Sequence, residues 1–475
     1  MIKISKISES NFIQIFSFFT EENWNEQKDT FPKNVSQFFS GKEKEIYINA
    51  NDDEIQYLIG LGSNDFKNFE IQKIANHFSQ SKKKNFLSIS TKIEADFLND
   101  EQFSALIEGL FLGTYQYGMK KEHAFWQESF SLQTSSYSEE ILIKITENTK
   151  AICNGQFACM EWLNKPANLK NADLISSYLK NLSEEKGFKY TVYNRKDCEE
   201  KGLGAYLSVN QGSAKDAAFT IIEYSPKNNS SKDLKTIGLV GKCVIFDTGG
   251  ISIKDGQNMH YMKSDMGGAT AVLGTLIAAA ELNLSVNIIA ILPITDNAVS
   301  RDAYLPSDVI TAYNGKTIEV LNTDAEGRMT LADGLSYLSK NYKTDTIIDL
   351  ATLTGSAVRM FGDTCGALMG NNDNLIKELI ECSVETNQRL WDLPLWDIWK
   401  EDIRSDVADL KNISMKPIGD CIVAGKFLEQ FLEGHTNWAH LDIAGVAFGN
   451  VNYAKEKAAT GYGVQLLLNF LKRSC

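Results

Sequence analysis

From residue 170 onward, short apolar runs rich in β-branched residues alternate with segments whose apolar positions recur every three to four residues. Residues 236–246 form an almost unbroken β-type run, and 189–193, 217–224, 286–292 and 346–350 read the same way. Residues 172–186, 266–282 and 373–387 carry the helical period. Apolar strands separated by helices imply a largely buried sheet covered on both faces, hence mainly parallel. Earlier in the chain the pattern is more broken, with strands expected at 46–50, 56–61 and 85–90 and helices at 69–79 and 100–115. The polar run 133–138 marks a change of unit, and a long helical pattern from 138 to 163 follows, ended by Pro166. The expected fold class is α/β: a large domain with a mainly parallel, helix-flanked mixed sheet, plus a smaller N-terminal α/β domain. We place the domains at 1–150, which includes the start of the linking helix, and 151–475.

Composition narrows the partners. The 475 residues are 43% hydrophobic, enough for a sizeable core, and the formal net charge of −13 leaves nothing basic to neutralise phosphates, so nucleic acid is not the expected partner. Lys82-Lys83-Lys84 reads as a solvated face. The N-terminus lacks the basic-then-apolar order of a signal peptide, and the longest apolar region, 269–292, is interrupted by Glu281, Asn283 and Asn287, so no membrane span is expected. Eight cysteines show no metal-type pairing, Cys153 and Cys159 being the closest two, which suits a reduced cytoplasmic protein. The five histidines form no HExxH or HxxxH pattern, so any metal site must be built without a histidine core.

The chemistry concentrates in three stretches. Asn322-Thr323-Asp324-Ala325-Glu326-Gly327-Arg328 lies between an alternating segment, 316–321, and a helical one, 329–338. In extended chain Asp324, Glu326 and Arg328 leave on one side. Two carboxylates held together repel, and a divalent metal removes the conflict, while the arginine suits an anion. A solvated acidic helix start is the plainer alternative. The second stretch, Gly241-Lys242-Cys243-Val244-Ile245-Phe246-Asp247-Thr248-Gly249-Gly250-Ile251-Ser252-Ile253-Lys254, is no P-loop, because Thr236 stands where that motif needs glycine and Cys243 where it needs Ser or Thr. Lys242 sits in an apolar strand, where it must pair with carboxylates or lose its proton. A buried Lys242–Asp247 ion pair would satisfy that. In the third stretch, Met262-Lys263-Ser264-Asp265-Met266-Gly267-Gly268, Asp265 precedes a helix and would serve as a plain N-cap. Taken together, however, Asp247, Asp265, Asp324 and Glu326 all lie at strand ends or loops of an α/β domain, where such sheets bind ligands. With an uncharged lysine nitrogen they could hold two divalent ions, zinc, manganese or magnesium, spaced about 3.5–4 Å apart for hydrolysis.

These residues resemble the leucine aminopeptidase family, cytosolic two-metal hexameric exopeptidases. The likeness rests on 322–328 and on 241–250. It is extended by 262–268, by Ala351-Thr352-Leu353-Thr354-Gly355, by Trp438-Ala439-His440-Leu441-Asp442-Ile443-Ala444-Gly445 and by Asn164-x-Pro166-x-Asn168. It covers residues 160–470 strongly and the first 137 more weakly. The resemblance implies a catalytic metallopeptidase domain at 151–475. Asp247 and Glu326 would bridge two Mn2+ or Zn2+ ions, Asp324 would complete one site, and Lys242 and Asp265 the other. Lys254 would polarise the scissile carbonyl and stabilise the gem-diolate. Arg328 would hold a bicarbonate ion that acts as general base on the bridging water. Met262, Asn322, Thr352, Leu353, Gly355, Ala444 and Ala447 would contact substrate. The resemblance also implies a peptide substrate that loses its N-terminal residue, leucine among others, a homohexamer and a cytoplasmic location. Cys243, Thr248, His260 and Ala447 depart from what many relatives carry. None removes a ligand or a catalytic charge, so they bear on substrate preference.

Two other readings stay open at this stage. One is a non-catalytic binding protein on the same fold; the intact ligand set with Lys254 and Arg328 weighs against it. The other is a different two-metal hydrolase such as a phosphoesterase, whose sites usually include histidines.

Overall fold

The structure is a computed structural model that describes residues 2–6, 14–50, 54–86, 91–118, 130–134, 137–227, 233–416 and 418–475. It divides into two compact units, Met1–Phe157 and Ala158–Cys475.

In the first unit, strands β1 (Ile2–Lys6), β2 (Gln14–Thr20), β3 (Ile46–Ala50), β4 (Ile55–Gly62), β5 (Thr91–Glu94) and β6 (Phe130–Thr134) form one sheet in the order β1-β6-β5-β2-β4-β3. Only β3 runs antiparallel to its neighbour. Helices α1 (Glu21–Gln27), α2 (Lys33–Phe38), α3 (Asn68–Phe86) and α4 (Asp100–Leu112) accompany it. Strand β2 is largely buried on both faces. Phe16 and Phe18 pack with Ile71 and Phe78 of α3 and Phe103 and Leu106 of α4, while Phe19 on the other side joins Trp24, Val35, Phe39 and Leu58. The strand expected at 85–90 is not formed as drawn: Asn85 and Phe86 close α3, 87–90 lie outside the described residues, and the strand is β5. Residues 135–136 of the polar boundary run also lie outside them, and Gln133 and Thr134 end β6. Helix α5 (Glu139–Asn164) contains the division between the units.

The second unit is built on the sheet β16-β15-β18-β14-β9-β11-β8-β7. Its strands are β7 (Lys189–Tyr193), β8 (Ala218–Tyr224), β9 (Thr236–Gly241), β10 (Cys243–Asp247), β11 (Asn287–Asn297), β14 (Thr346–Ala351), β15 (Gly366–Gly370), β16 (Leu390–Asp392) and β18 (Trp438–Asp442). Two small sheets join β12 (Val309–Thr311), β13 (Thr317–Glu319) and β17 (Leu410–Lys411), and β19 (Phe448–Gly449) with β20 (Ala458–Ala459). The central strands β11, β9, β14 and β18 are parallel; β8 and β15 pair antiparallel to them. The helices are α6 (Ala172–Lys186), α7 (Arg195–Lys201), α8 (Gly204–Asn210), α9 (Gly267–Glu281), α10 (Glu326–Asn341), α11 (Gly355–Phe361), α12 (Asp373–Glu385), α13 (Asp420–Glu429) and α14 (Val464–Ser474). The mixed, mainly parallel α/β architecture read from the alternation is the one found.

One departure from the pattern positions the site. The run 236–246 is two strands, parted at Lys242. The Lys242 N–H still donates to Leu350 of β14, but its carbonyl accepts from Ala269 in the first turn of α9, and Val244 N–H donates to Asp265. Beyond that point β10 follows β11 alone, with a register shift between Val244 and Asp247. The helix start can press this closely because Gly268 has no side chain: a Cβ there would sit 1.9 Å from the Leu350 carbonyl oxygen.

On α10, Asp333 is fully buried and accepts from the backbone N–H groups of Tyr206 (2.9 Å) and Tyr313 (2.7 Å). Burial pushes its carboxyl up to about 7. A carboxyl whose folded pKa lies above its unfolded value of about 3.9 contributes most below that value and loses the contribution as pH rises through the folded one. Thermal melts of wild type and Asp333→Asn should therefore differ by an amount that moves against the wild type as pH rises from about 5 to about 8. A pH-independent difference would contradict it.

Candidate active site

Four segments bring charged side chains to one place at the carboxyl ends of the central strands. Asp247 ends β10. Its Oδ1 accepts from Gly249 N–H and Asn297 Nδ2, both at 2.8 Å, which leaves Oδ2 facing inward. Gly249 and Gly250 follow at φ +87° and +64°, a left-handed turn that glycine tolerates. The turn returns the chain so that Lys254 N–H reaches the Thr248 carbonyl, and the Lys254 amine lies 2.7 Å from Asp247 Oδ2 and 2.5 Å from Asp324 Oδ1. Asp265 is not the expected N-cap. Met266 holds that position without a side-chain bond; Asp265 Oδ1 accepts from the Thr352 hydroxyl (2.9 Å) and Oδ2 lies 2.7 Å from Lys242 Nζ. Glu326, 1% exposed, opens α10 with Oε1 2.9 Å from the same nitrogen. Lys242 Nζ also donates to the Thr352 carbonyl at 2.9 Å. Carboxylate oxygens of Asp247, Asp265 and Glu326 all lie within 4.8 Å of one another, and Asp324 joins them through Lys254.

Two expectations are corrected. Lys242 pairs with Asp265 and Glu326, whereas Asp247 pairs with Lys254. And 324–328 is not extended: α10 starts at Glu326, so Glu326 and Arg328 point about 200° apart around the helix axis. Arg328, 3% exposed, donates to the Asn412 carbonyl (2.8 Å) and to Asp420 (3.1 Å), its one ion pair among the described residues. Its Nε is buried without a partner.

The electrostatics are those of a pocket short of positive charge. Burial raises Asp265 well above the ordinary carboxylate range, Asp247 up to about 6 and Asp324 in the same direction, and neighbouring carboxylates add to it. Burial acts on Glu326 too, but Lys242 and Lys254 outweigh it and hold this carboxyl below its usual value. Burial opposes the charge on both lysines; the carboxylates overcome it and keep both above their usual value. Asp265 Oδ2, Asp324 Oδ1 and Glu326 Oε1 are buried and lie 2.7, 2.5 and 2.9 Å from lysine nitrogens, and with Asp247 they set four carboxylates against two amines. Hard oxygen donors that cannot all ionise, with one amine among them, fit divalent cations.

The residues expected around the substrate are distributed as follows. Thr352 and Ala447 meet over Gly267, filling the space a side chain there would need. Leu353 and Ala444 both donate their N–H to Asp442 Oδ1, and Gly355 opens α11. The carbonyl of Met262 accepts from Asp265 N–H. The Asn322 side chain accepts from Asp324 N–H at 2.8 Å, which fixes the approach of Asp324. Several buried polar residues to which sequence reasoning gave no role hold this arrangement: Asn297, Asn412, Asp442, and the fully buried pair Asp349–His440, joined at 2.6 Å, whose Asp349 also accepts from Trp438 Nε1. Burial alone would lower the His440 pKa, but Asp349 outweighs it and raises it. Asp349, His440 and Asp442 are marked in the sequence by their polarity within the mostly apolar strands β14 and β18.

Fold and site together define an α/β domain whose carboxylate cluster suits divalent cations. Residues 157–468 match the cytosol aminopeptidase family, catalytic domain. A probable cytosol aminopeptidase of Chlorobium limicola is 41% identical over 381 residues, 78% of this chain and 75% of that one; one of Rickettsia rickettsii (strain Sheila Smith) is 38% identical over 455 residues, 91% and 89%. Among solved structures, a mutant of tomato leucine aminopeptidase superposes with a TM-score of 0.86 at 28% identity, covering 99% of this chain and 96% of that one. The bottromycin maturation enzyme BotP in complex with Mn gives 0.84 at 26% identity, covering 97% and 99%. The chain belongs to the cytosol aminopeptidase family and is a metal-dependent aminopeptidase. No helix among the described residues is long and apolar enough to cross a membrane.

Proposed function

We propose that the cluster holds two divalent ions and removes the N-terminal residue, leucine among others, from unblocked peptides. The observation that carries this is the convergence of Asp247, Asp265 and Glu326 beside Lys242, with Asp324 joined through Lys254, so that four carboxylates share two amines. Asp247 and Glu326 would be shared, Asp324 would complete one site, and Lys242 and Asp265 the other. Such ions, when bound, make water nucleophilic near neutral pH, polarise the amide carbonyl and give the substrate's free amino group an anchor. Lys254 now lies between Asp247 and Asp324; once those carboxylates are engaged, its amine is free to donate to the carbonyl oxygen as charge develops there. Arg328, with its buried Nε free, is suited to hold a small anion such as bicarbonate that takes the water's proton. Thr352, Leu353, Gly355, Ala444, Ala447, Met262 and Asn322 would shape the cleft. The manganese in BotP makes Mn2+ the first ion to test, with Zn2+ beside it. A homohexamer in the cytoplasm is the assembly and location this reading carries, with a domain boundary at residue 150.

Removing metal tests it. After chelation and desalting, release of leucine from a leucyl amide should fall to background and return with Mn2+ or Zn2+. Ions that bind the folded state alone also raise its stability, by about 2.7 kcal/mol at a hundred times the dissociation constant. Undiminished leucine release from protein shown to be metal-free, or cleavage of a phosphodiester in preference to the amide, would overturn the proposal.

A further inference from the structure

The motif 438–445 contains a buried carboxylate that is not among the proposed metal ligands. Asp442 ends β18, in register with Ala351 of β14, and is 0% exposed. Its Oδ1 accepts from Leu353 N–H (3.1 Å) and Ala444 N–H (3.2 Å); its Oδ2 accepts from Thr354 N–H (3.1 Å), the Thr354 hydroxyl (2.6 Å) and, at 3.6 Å, Cys421 Sγ. Three of these five donors come from two consecutive residues of the loop after β14. The residue before them, Thr352, touches the metal-ligand candidates twice: its carbonyl accepts from Lys242 Nζ and its hydroxyl donates to Asp265.

We infer that Asp442 is a positioning residue which, by gripping Leu353 and Thr354, holds the Thr352 carbonyl in place and so aims the Lys242 amine. Lys242 Nζ has three neighbours: Asp265, Glu326 and the Thr352 carbonyl. The two carboxylates are wanted by cations; the carbonyl is the acceptor that remains to fix the rotation of the amine hydrogens and hence the direction of the nitrogen orbital. Partners that orient a ligand in this way govern metal affinity as well as rate. An acidic side chain is required because both oxygens face N–H groups. An asparagine would turn its own N–H2 toward one of them and release half the grip. The inference rests on the two-ion reading of the site.

The test is a titration of metal-free protein with Mn2+, followed by calorimetry and by the spin-coupled signal of a Mn2+ pair. In Asp442→Asn the affinity of one site should fall by roughly 10–100-fold with the other unchanged and the coupled signal lost. Thr354→Val keeps the N–H bond to Asp442 but removes the hydroxyl's 2.6 Å bond, together with the bonds that hydroxyl accepts from Ala357 N–H and Ser356 Oγ at the start of α11; it should weaken the same site less, and serves if Asp442→Asn does not fold. Cys421→Ala removes the long 3.6 Å thiol contact to Asp442 Oδ2 and leaves the bonds from Leu353 and Thr354 to Asp442 in place, so it should bind both ions as wild type does. Both ions binding normally in Asp442→Asn (or in Thr354→Val, if that is the variant that folds), equal weakening at both sites, or the same defect in Cys421→Ala would overturn the inference. Wild type that binds two ions but releases no amino acid would remove the peptidase reading and leave this one standing, since the titration needs no substrate.

Discussion

Asp247→Asn should fold and release amino acids at least about a thousandfold more slowly than wild type, because Lewis-acid stabilisation is worth several kcal/mol and each 1.36 kcal/mol is a factor of ten. The substitution is chosen for what it keeps. Asp247 Oδ1 accepts from Gly249 N–H and Asn297 Nδ2, and an asparagine carbonyl can still do so, so the left-handed turn at 249–250 survives. What it removes is Oδ2, the inward oxygen, and the charge that two cations would share. Metal content should fall with the rate. Wild-type turnover, or normal turnover with metal lost, would separate this carboxylate from the chemistry.

The second large effect is expected at Lys254. Its amine touches Asp247 and Asp324, the arrangement of a cation that stands in for metal and then turns to the substrate. Lys254→Met should keep both ions while kcat drops by about 10²–10³, the usual loss when one donor to a developing oxyanion is deleted, with little change in KM. A parallel fall in metal content would instead make Lys254 a prop for the carboxylates. Steady-state kinetics and metal analysis on the same preparation distinguish the two.

The elements that were legible in the sequence are those whose pattern is set locally. The β-type runs 189–193, 217–224 and 346–350 lie within a residue of β7, β8 and β14, and the helical period marked α6, α9 and α12. The carboxylates were legible as candidates because acidic residues at the ends of apolar strands have few reasons to be there. Their pairing was not legible. Which carboxylate Lys242 meets depends on Ala269 and Asp265 taking backbone partners that a continuous strand would have given to β14, a contact between segments far apart in sequence. The extended reading of 324–328 failed for a related reason: Glu326 and Arg328 are wound into α10, and Gly327 lets that first turn lie against the Lys242 side chain. Asp442, His440 and Asp349 were given no role because the partners of a polar residue on a wholly buried strand, the loop after β14 for Asp442 and the neighbouring strand for His440 and Asp349, are fixed by tertiary contacts. Strand β2 was not among the strands expected because Gln14, Ser17 and Thr20 interrupt its apolar residues, although all three are buried.

The most direct test is anomalous diffraction from crystals equilibrated with Mn2+. The account predicts two peaks about 3.5–4 Å apart, both in contact with Asp247 and Glu326, one reached by Asp324 and the other by Lys242 and Asp265. No peak in that pocket, or manganese only at surface carboxylates while the protein still cleaves leucyl amides, would contradict it.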